Sequence, residues 1–234
     1  MMNQDGVPAT TVQGALFAGL PNETVGALLD AASLRQTTQG IALFHQGDPP
    51  NDLLQVVSGM VKMTQIGGDG AQTTLRVMGP GELVGCVAVF QQFPYPATAT
   101  TLEDTVLLSW RAASFFELLK QHPAIYDNVL RIIGTRAREM VQRVVEVSAK
   151  RAEQRIAIAL LRLAAQTGVE MEDGAEVGLP ITRNDLAEMA AATYFTVSRT
   201  LSKWQQRGIV KSGRRRIVIA SVNKLTAIAE GHES

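Results

Sequence analysis

The chain has 234 residues, 46% of them apolar, with 22 Lys and Arg against 22 Asp and Glu, enough for two modest domains with separate cores. Cys86 is the one cysteine, which excludes an internal disulfide, a thiolate-rich zinc site and a four-cysteine iron–sulfur cluster within one chain. The first Lys or Arg is Arg35 and no apolar run approaches the roughly 18 residues of a membrane span, so neither a secretory signal nor a transmembrane helix is expected and the expected location is the cytoplasm.

The balanced total hides an asymmetry. Residues 1–130 hold 5 Lys and Arg against 11 Asp and Glu, whereas residues 131–216 hold 16 against 9. An acidic front half joined to a basic back half points the back half toward a polyanion.

In chain order, residues 14–35 read as a helical lead-in, with Leu16, Leu20, Val25, Leu28 and Leu29 apolar and Pro21-Asn22-Glu23 marking a start. From Gln39 short runs alternate, as in Val61-Lys62-Met63-Thr64 and Leu75-Arg76-Val77, between glycine-bearing turns at 46–50, 58–59, 67–70 and 79–81. This texture predicts a small antiparallel roll that ends with a strand at about 105–110. After Pro123 the period changes. Tyr126, Leu130, Ile133, Ala137, Met140, Val144 and Val147 recur at alternating spacings of four and three, a narrow seam that predicts a long helix paired with its copy in a homodimer. A further helix is expected over about 151–166, and 167–178 reads as an acidic, glycine-bearing break.

The most informative segment follows. Thr182-Arg183-Asn184-Asp185 has the form of a capping box, with Asp185 in the place of the usual Glu. The helix it opens buries Leu186 and Met189, and Ala190-Ala191-Ala192 permit a tight turn. Thr193 then caps a second helix, 193–206, in which Val197, Leu201 and Trp204 face inward. Two short helices joined by a small-residue turn form a helix-turn-helix pattern. Its leading residues, Tyr194, Phe195, Thr196, Ser198, Arg199 and Lys203 with the cap Thr193, are candidates for DNA contact, as are Thr182 and Arg183. Ile209 and Val210 begin a strand, and Arg214, Arg215 and Arg216 crown a basic hairpin before Ile217-Val218-Ile219. That hairpin reads as a wing, and together with the local charge it points to double-stranded DNA.

The stretches GELVGCVAVFQQFPYPATATTLEDT, residues 81–105, and ITRNDLAEMAAATYFTVSRTLSKWQQRGIV, residues 181–210, resemble the bacterial Crp/Fnr superfamily, and the likeness runs from about residue 15 to 222. The resemblance implies an α+β chain: an N-terminal helix and effector-sensing, cyclic-nucleotide-binding-like β-roll over 1–122, a dimerisation helix over 123–150, and a winged helix-turn-helix domain over 151–234. It implies a homodimeric transcription regulator whose partners are double-stranded DNA, a second copy, RNA polymerase and a small effector.

The departures from the family pattern carry information. Nucleotide-binding members hold the ribose with a glutamate and the cyclic phosphate with an arginine about ten residues later. The matching positions here are Gly85-Cys86-Val87 and Pro96-Ala97-Thr98. A buried phosphate without a cationic partner is disfavoured, so an effector other than cyclic AMP is expected. Arg143 and Val144 stand about where the family's hydroxyl pair meets the adenine, and Arg143 joins this candidate effector pocket. The cysteine cluster of the family's oxygen sensor is missing, haem stays open with His45, His122 and Cys86, the last read on an apolar strand, as candidate ligands, and no metal site is expected. His232 falls in a frayed tail. Where relatives often carry a DNA-reading glutamate, this chain has Phe195, followed by Ser198 and Arg199 in the family pattern. Phenylalanine can offer a thymine methyl only apolar contact, so the palindromic operator is expected to differ in sequence. A cupin-like enzyme, the reading from another class, needs a cluster of histidines and a carboxylate that two separated internal histidines do not provide. A regulator with a vestigial roll that needs no effector is the closer alternative.

Overall fold

A computed structural model describes residues 14–166, 177–213 and 216–232. It falls into two compact units, Met1–Gln65 with Met78–Glu139, and Ile66–Val77 with Met140–Ser234. The division passes through the long helix rather than at its end.

From α1 (Asn22–Asp30) the chain runs through β1 (Ser33–Thr37), β2 (Ala42–Phe44), β3 (Asp52–Ser58), β4 (Val61–Ile66), β5 (Gln72–Met78) and β6 (Leu83–Val84), of which the stretch Ile66–Val77 counts with the second unit. A short helix, α2 (Cys86–Gln91), precedes β7 (Thr98–Thr101), β8 (Thr105–Arg111) and α3 (Ala112–Gln121). The strands make two four-stranded sheets, ordered β1-β8-β3-β6 and β2-β7-β4-β5. Alternation along the strands supplies a common apolar interior, with Leu53, Val56, Val61, Leu107, Leu108 and Trp110 fully buried. The Trp110 indole N–H donates to the Leu28 carbonyl at 2.7 Å, which satisfies a buried donor and fastens α1 to the roll.

Two local expectations are corrected. The lead-in is helical only from Asn22, and Ser33–Thr37 is a strand paired antiparallel with β8 in the register Ser33↔Ser109 to Thr37↔Thr105. Pro21 prevents a helix from running through it, and β1 owes its conformation to a partner more than 60 residues away in sequence. Cys86, read as part of an apolar strand, is instead the first residue of α2. Gly85 has φ +82° there, and a Cβ on it would meet the Tyr95 ring at 2.8 Å, so the sequence needs glycine at this bend.

The long helix α4 spans Ala124–Ala149. Its first turns bury Ile125, Asn128 and Val129, and the Asn128 amide donates to the carbonyls of Leu16 and Ala18, both at 2.9 Å. Beyond them the seam residues lie outward on this single chain: Leu130 is 65% exposed, Met140 71% and Val144 68%, and Val141 and Val145 broaden the stripe. Ile133 is the exception, packed partly against the roll.

The second unit holds α5 (Ala152–Gln166), β9 (Val177–Leu179), α6 (Arg183–Met189), α7 (Tyr194–Gln206), β10 (Val210–Ser212), β11 (Ile217–Ile219) and α8 (Val222–Glu230). Its sheet is ordered β10-β11-β9, and every pair is antiparallel. β9 was not expected, because its sequence offers only three residues after a polar break. Ile156, Leu160 and Leu163 of α5 and Leu186, Val197, Leu201, Trp204, Ile219 and Leu225 are fully buried in this unit. A part-buried ion pair, Arg162 to Glu146 at 2.6 Å, joins α5 to the end of α4.

Candidate nucleic-acid interface

The helix-turn-helix begins as its residues dictate. The Thr182 hydroxyl accepts from the Asp185 N–H at 3.1 Å while the Asp185 carboxylate accepts from the Thr182 N–H at 2.9 Å, so two otherwise unpaired donors at the start of α6 are satisfied reciprocally. The helix lasts seven residues, and Ala191 turns the chain with φ +48°, an unusual value for a residue with a Cβ. Thr193 then caps α7 by accepting from the Thr196 N–H at 3.2 Å, and its hydroxyl lies 2.9 Å from that of Thr196. Val197, Thr200, Leu201 and Trp204 form the buried face of α7. The Trp204 indole donates to Glu153 of α5 at 3.0 Å, which fixes the helix at its far end.

The face left to solvent carries the candidate DNA readers. Phe195 is 83% exposed and Tyr194 48%, with ring centroids 6.1 Å apart in an edge-to-face arrangement. Arg199 is exposed and makes no hydrogen bond or ion pair with any described residue, so all its donors remain available. Thr193 and Thr196 stand at the same N-terminal end, where helical N–H groups and the helix dipole favour phosphate.

Three other sequence candidates are engaged within the protein. Arg183 donates to the Ser198 hydroxyl at 2.9 Å and to the Ser212 hydroxyl at 3.3 Å, bracing the first turn of α6 against α7 and the wing strand β10. That places Arg183, and through it Ser198, in a supporting role as well as at the surface. Lys203 lies 3.4 Å from Glu153. Thr182 spends its hydroxyl in the capping box. In the wing, Gly213 donates to the Arg216 carbonyl at 2.8 Å, and the Arg216 guanidinium lies over Gly178, where any Cβ would collide with it. Arg214 and Arg215 lie outside the described residues.

The candidate effector region divides differently from the sequence expectation. Gly85 and Cys86 sit at the start of α2, Cys86 and Ala97 are fully buried, and Val87 and Pro96 are exposed. Thr98 uses its hydroxyl to accept from the Gln46 N–H at 3.0 Å. Behind Gly85, Phe44 and Tyr95 stack with centroids 3.7 Å apart, and burial pushes the Tyr95 hydroxyl above its usual range. The cation beside this turn is Arg136, not Arg143. Arg136 donates to the Cys86 sulfur at 3.0 Å and to the Leu83 carbonyl, with the Met78 sulfur 3.9 Å away. All its partners among the described residues are neutral. Its place on α4 gave no signal in the sequence, since it looked like one more outward-facing charge.

Arg143 belongs to the second unit. It donates to the Met189 carbonyl at 2.7 Å and the Leu75 carbonyl at 3.1 Å, and burial, reinforced by the neighbouring Arg162 cation, lowers its pKa. Sequence reasoning also missed Arg155 on α5, which donates to the carbonyls of Ala190 and Ala191, both at 2.8 Å. No local pattern announces such contacts; they join residues 35 or more positions apart. Among the candidate haem ligands, His45 occupies the exposed turn after β2, His122 ends α3 with its Nδ1 3.2 Å from the Thr24 hydroxyl, and Cys86 receives Arg136. No cluster of His, Cys, Asp or Glu able to hold a metal ion occurs among the described residues.

Comparison with known proteins agrees with both units. Residues 34–122 match the model of the cyclic nucleotide-binding domain and residues 154–228 that of the Crp-like helix-turn-helix domain. The cyclic AMP receptor protein of Thermus thermophilus is 31% identical over 216 residues, covering 92% of this chain and 97% of the relative. The transcriptional activator protein Anr of Pseudomonas aeruginosa is 28% identical over 197 residues, 84% of this chain and 80% of the relative. The solved structure of FixK2 from Bradyrhizobium japonicum superposes with a TM-score of 0.73 over 84% of this chain and 96% of that one, at 21% identity, a likeness of fold. With a nucleotide-binding-type roll followed by a capped helix-turn-helix whose outer face bears an arginine that no other described residue engages, the chain belongs to the Crp/Fnr superfamily of DNA-binding transcription regulators.

Proposed function

We propose that the protein is a cytoplasmic homodimeric regulator that reads a two-fold palindromic operator with α7 and responds through its roll to a small effector other than cyclic AMP. The observation that carries the operator reading is the outer face of α7, where Arg199 donates to no other described residue and Phe195 stands 83% exposed. Arg199 is suited to a bidentate contact with guanine, and Phe195 to a thymine methyl. Thr193, Thr196 and the wing arginines Arg214, Arg215 and Arg216 are suited to phosphates. The exposed stripe Leu130, Met140, Val144 and Val147 supports pairing of α4 with its copy, which would set two copies of α7 about 34 to 36 Å apart, one helical turn of DNA. RNA polymerase is the further partner that a regulator of this kind would engage.

The effector reading rests on Cys86 and on Pro96-Ala97-Thr98, which supply neither a carboxylate for a ribose nor a cation for a phosphate. One observation favours the second reading, a regulator that needs no effector: Arg136 already fills the turn at Leu83–Cys86 with its own donors. Selection of bound sites from random double-stranded DNA tests the proposal. Recovery of a palindrome with guanine and thymine at symmetric positions is the expected result, and recovery of no common sequence would reject operator reading. Repeating the selection without any added small molecule separates the two readings of the roll.

A further inference from the structure

The turn between α6 and α7 fixes the angle at which α7 can meet DNA, and its backbone is unusually exposed to strain. At the end of α6 the Glu188 carbonyl accepts from the Ala191 N–H at 3.3 Å and that of Ala187 from the Ala192 N–H at 2.9 Å, and Ala191 holds a left-handed φ of +48°. Two arginines from outside the motif take up four consecutive carbonyls at this point. Arg143 of α4 lies 3.5 Å from that of Glu188 and donates to Met189 at 2.7 Å. Arg155 of α5 donates to Ala190 and Ala191, each at 2.8 Å. Two guanidinium groups at the C-terminal end of α6 also oppose its dipole.

The two arginines differ in what else they hold. Arg155 also donates from Nη1 to the Lys150 carbonyl at 2.8 Å, close to its own helix. Arg143 reaches instead to β5, with the Leu75 carbonyl at 3.1 Å and that of Thr74 at 3.5 Å. A second link runs beside it: the fully buried Thr74 hydroxyl donates to the Glu188 carboxylate at 2.5 Å, and the other oxygen of Glu188 accepts from the Asn184 amide at 2.8 Å. Strand β5 and the end of α6 are therefore joined twice, through Arg143 and through Thr74–Glu188.

We propose that Arg143 and Arg155 are positioning residues for operator reading, and that Arg143, with Thr74 and Glu188, ties the orientation of α7 to the position of strand β5. This rests on the operator-reading function proposed above and adds a route by which the 66–77 segment controls it. Arg155 sets the turn from within the DNA-binding fold. Arg143 makes the same turn depend on Thr74 and Leu75, which belong to the same compact unit but lie more than 60 positions away in sequence, because a single planar guanidinium serves both sides and cannot follow β5 without releasing Met189.

The test uses the full-length protein, the selected operator and an unrelated duplex, with affinity measured by fluorescence anisotropy across a salt series. Arg143→Gln is expected to lower the preference for operator over unrelated DNA by about 2- to 30-fold, the span typical of residues that couple to a site without touching the ligand. The salt dependence should stay as in the wild type, because no phosphate contact is lost. Thr74→Val should act in the same direction, and the double variant should lose less than the product of the two single losses. An unaltered preference, a preference reduced only through a flatter salt slope, or strictly multiplicative losses would each overturn the proposal. If Arg143→Gln fails to fold, Arg143→Lys takes its place. It keeps the charge without the fork, so an intermediate loss is expected and wild-type behaviour would overturn the bridge. A wild-type protein with no operator preference removes the proposed function, whereas a preference that survives these changes removes only the relay.

Discussion

Met140→Glu separates two fates for the outward stripe on α4. On one chain Met140 is 71% exposed, flanked by Val141, Val144 and Val145 at 65%, 68% and 58%, whereas Ile125 and Val129 of the same helix face the roll. Burying a whole methionine side chain is worth about 1.5 to 3 kcal/mol, so the 71% still available corresponds to roughly 1 to 2 kcal/mol. A two-fold interface counts each residue twice, which raises the loss to roughly 2 to 4 kcal/mol. At 1.4 kcal/mol per factor of ten, the dimer dissociation constant should rise by roughly 30- to 1,000-fold, before the repulsion between two like charges near the axis is added. Sedimentation velocity across a concentration series reads this directly, with circular dichroism as the check on folding. A variant that sediments as the wild type does at every concentration would refute the reasoning and leave the stripe with another partner.

Other outcomes follow from the same geometry. Arg199→Ala should weaken operator binding by roughly 1 to 3 kcal/mol and relax the preference at one symmetric base position; an equal loss on every sequence would make Arg199 a phosphate contact only. Replacing Arg214, Arg215 and Arg216 together with Ala should flatten the dependence of log affinity on log salt by up to about 0.9 per lost phosphate contact, and an unchanged slope would remove the wing from the interface. Calorimetric titration with cyclic AMP should give no saturable heat, and tight binding would overturn the argument from Cys86 and Pro96-Ala97-Thr98.

The part of the molecule legible in the sequence is the part governed by near neighbours in the chain. The capping box at Thr182 and Asp185 needs only a spacing of three, and the buried face of α7 only the recurrence of Val197, Leu201 and Trp204. The same holds for α4, whose seam is a period, and for the existence of strands β4 and β5, though not for which side they bury, since Leu75 is 40% exposed and Thr74 and Thr64 are buried. Strands β1 and β9 escaped because each is short and takes its form from a distant partner, β8 and β11 respectively.

Charge was readable as a total over a segment, not as an address for each side chain. Arg136, Arg143, Arg155, Arg183 and Arg199 look alike in the sequence, yet of these only Arg199 makes no hydrogen bond or ion pair with another described residue. The sequence by itself determined the order of the larger elements and the helix-turn-helix with its caps. Only the tertiary structure decided that Arg136 meets Cys86 and that Arg143 and Arg155 hold the turn at 188–191. A long flexible cation can reach any of several carbonyls, and the one it takes is set by which backbone the fold brings within about 3 Å of it.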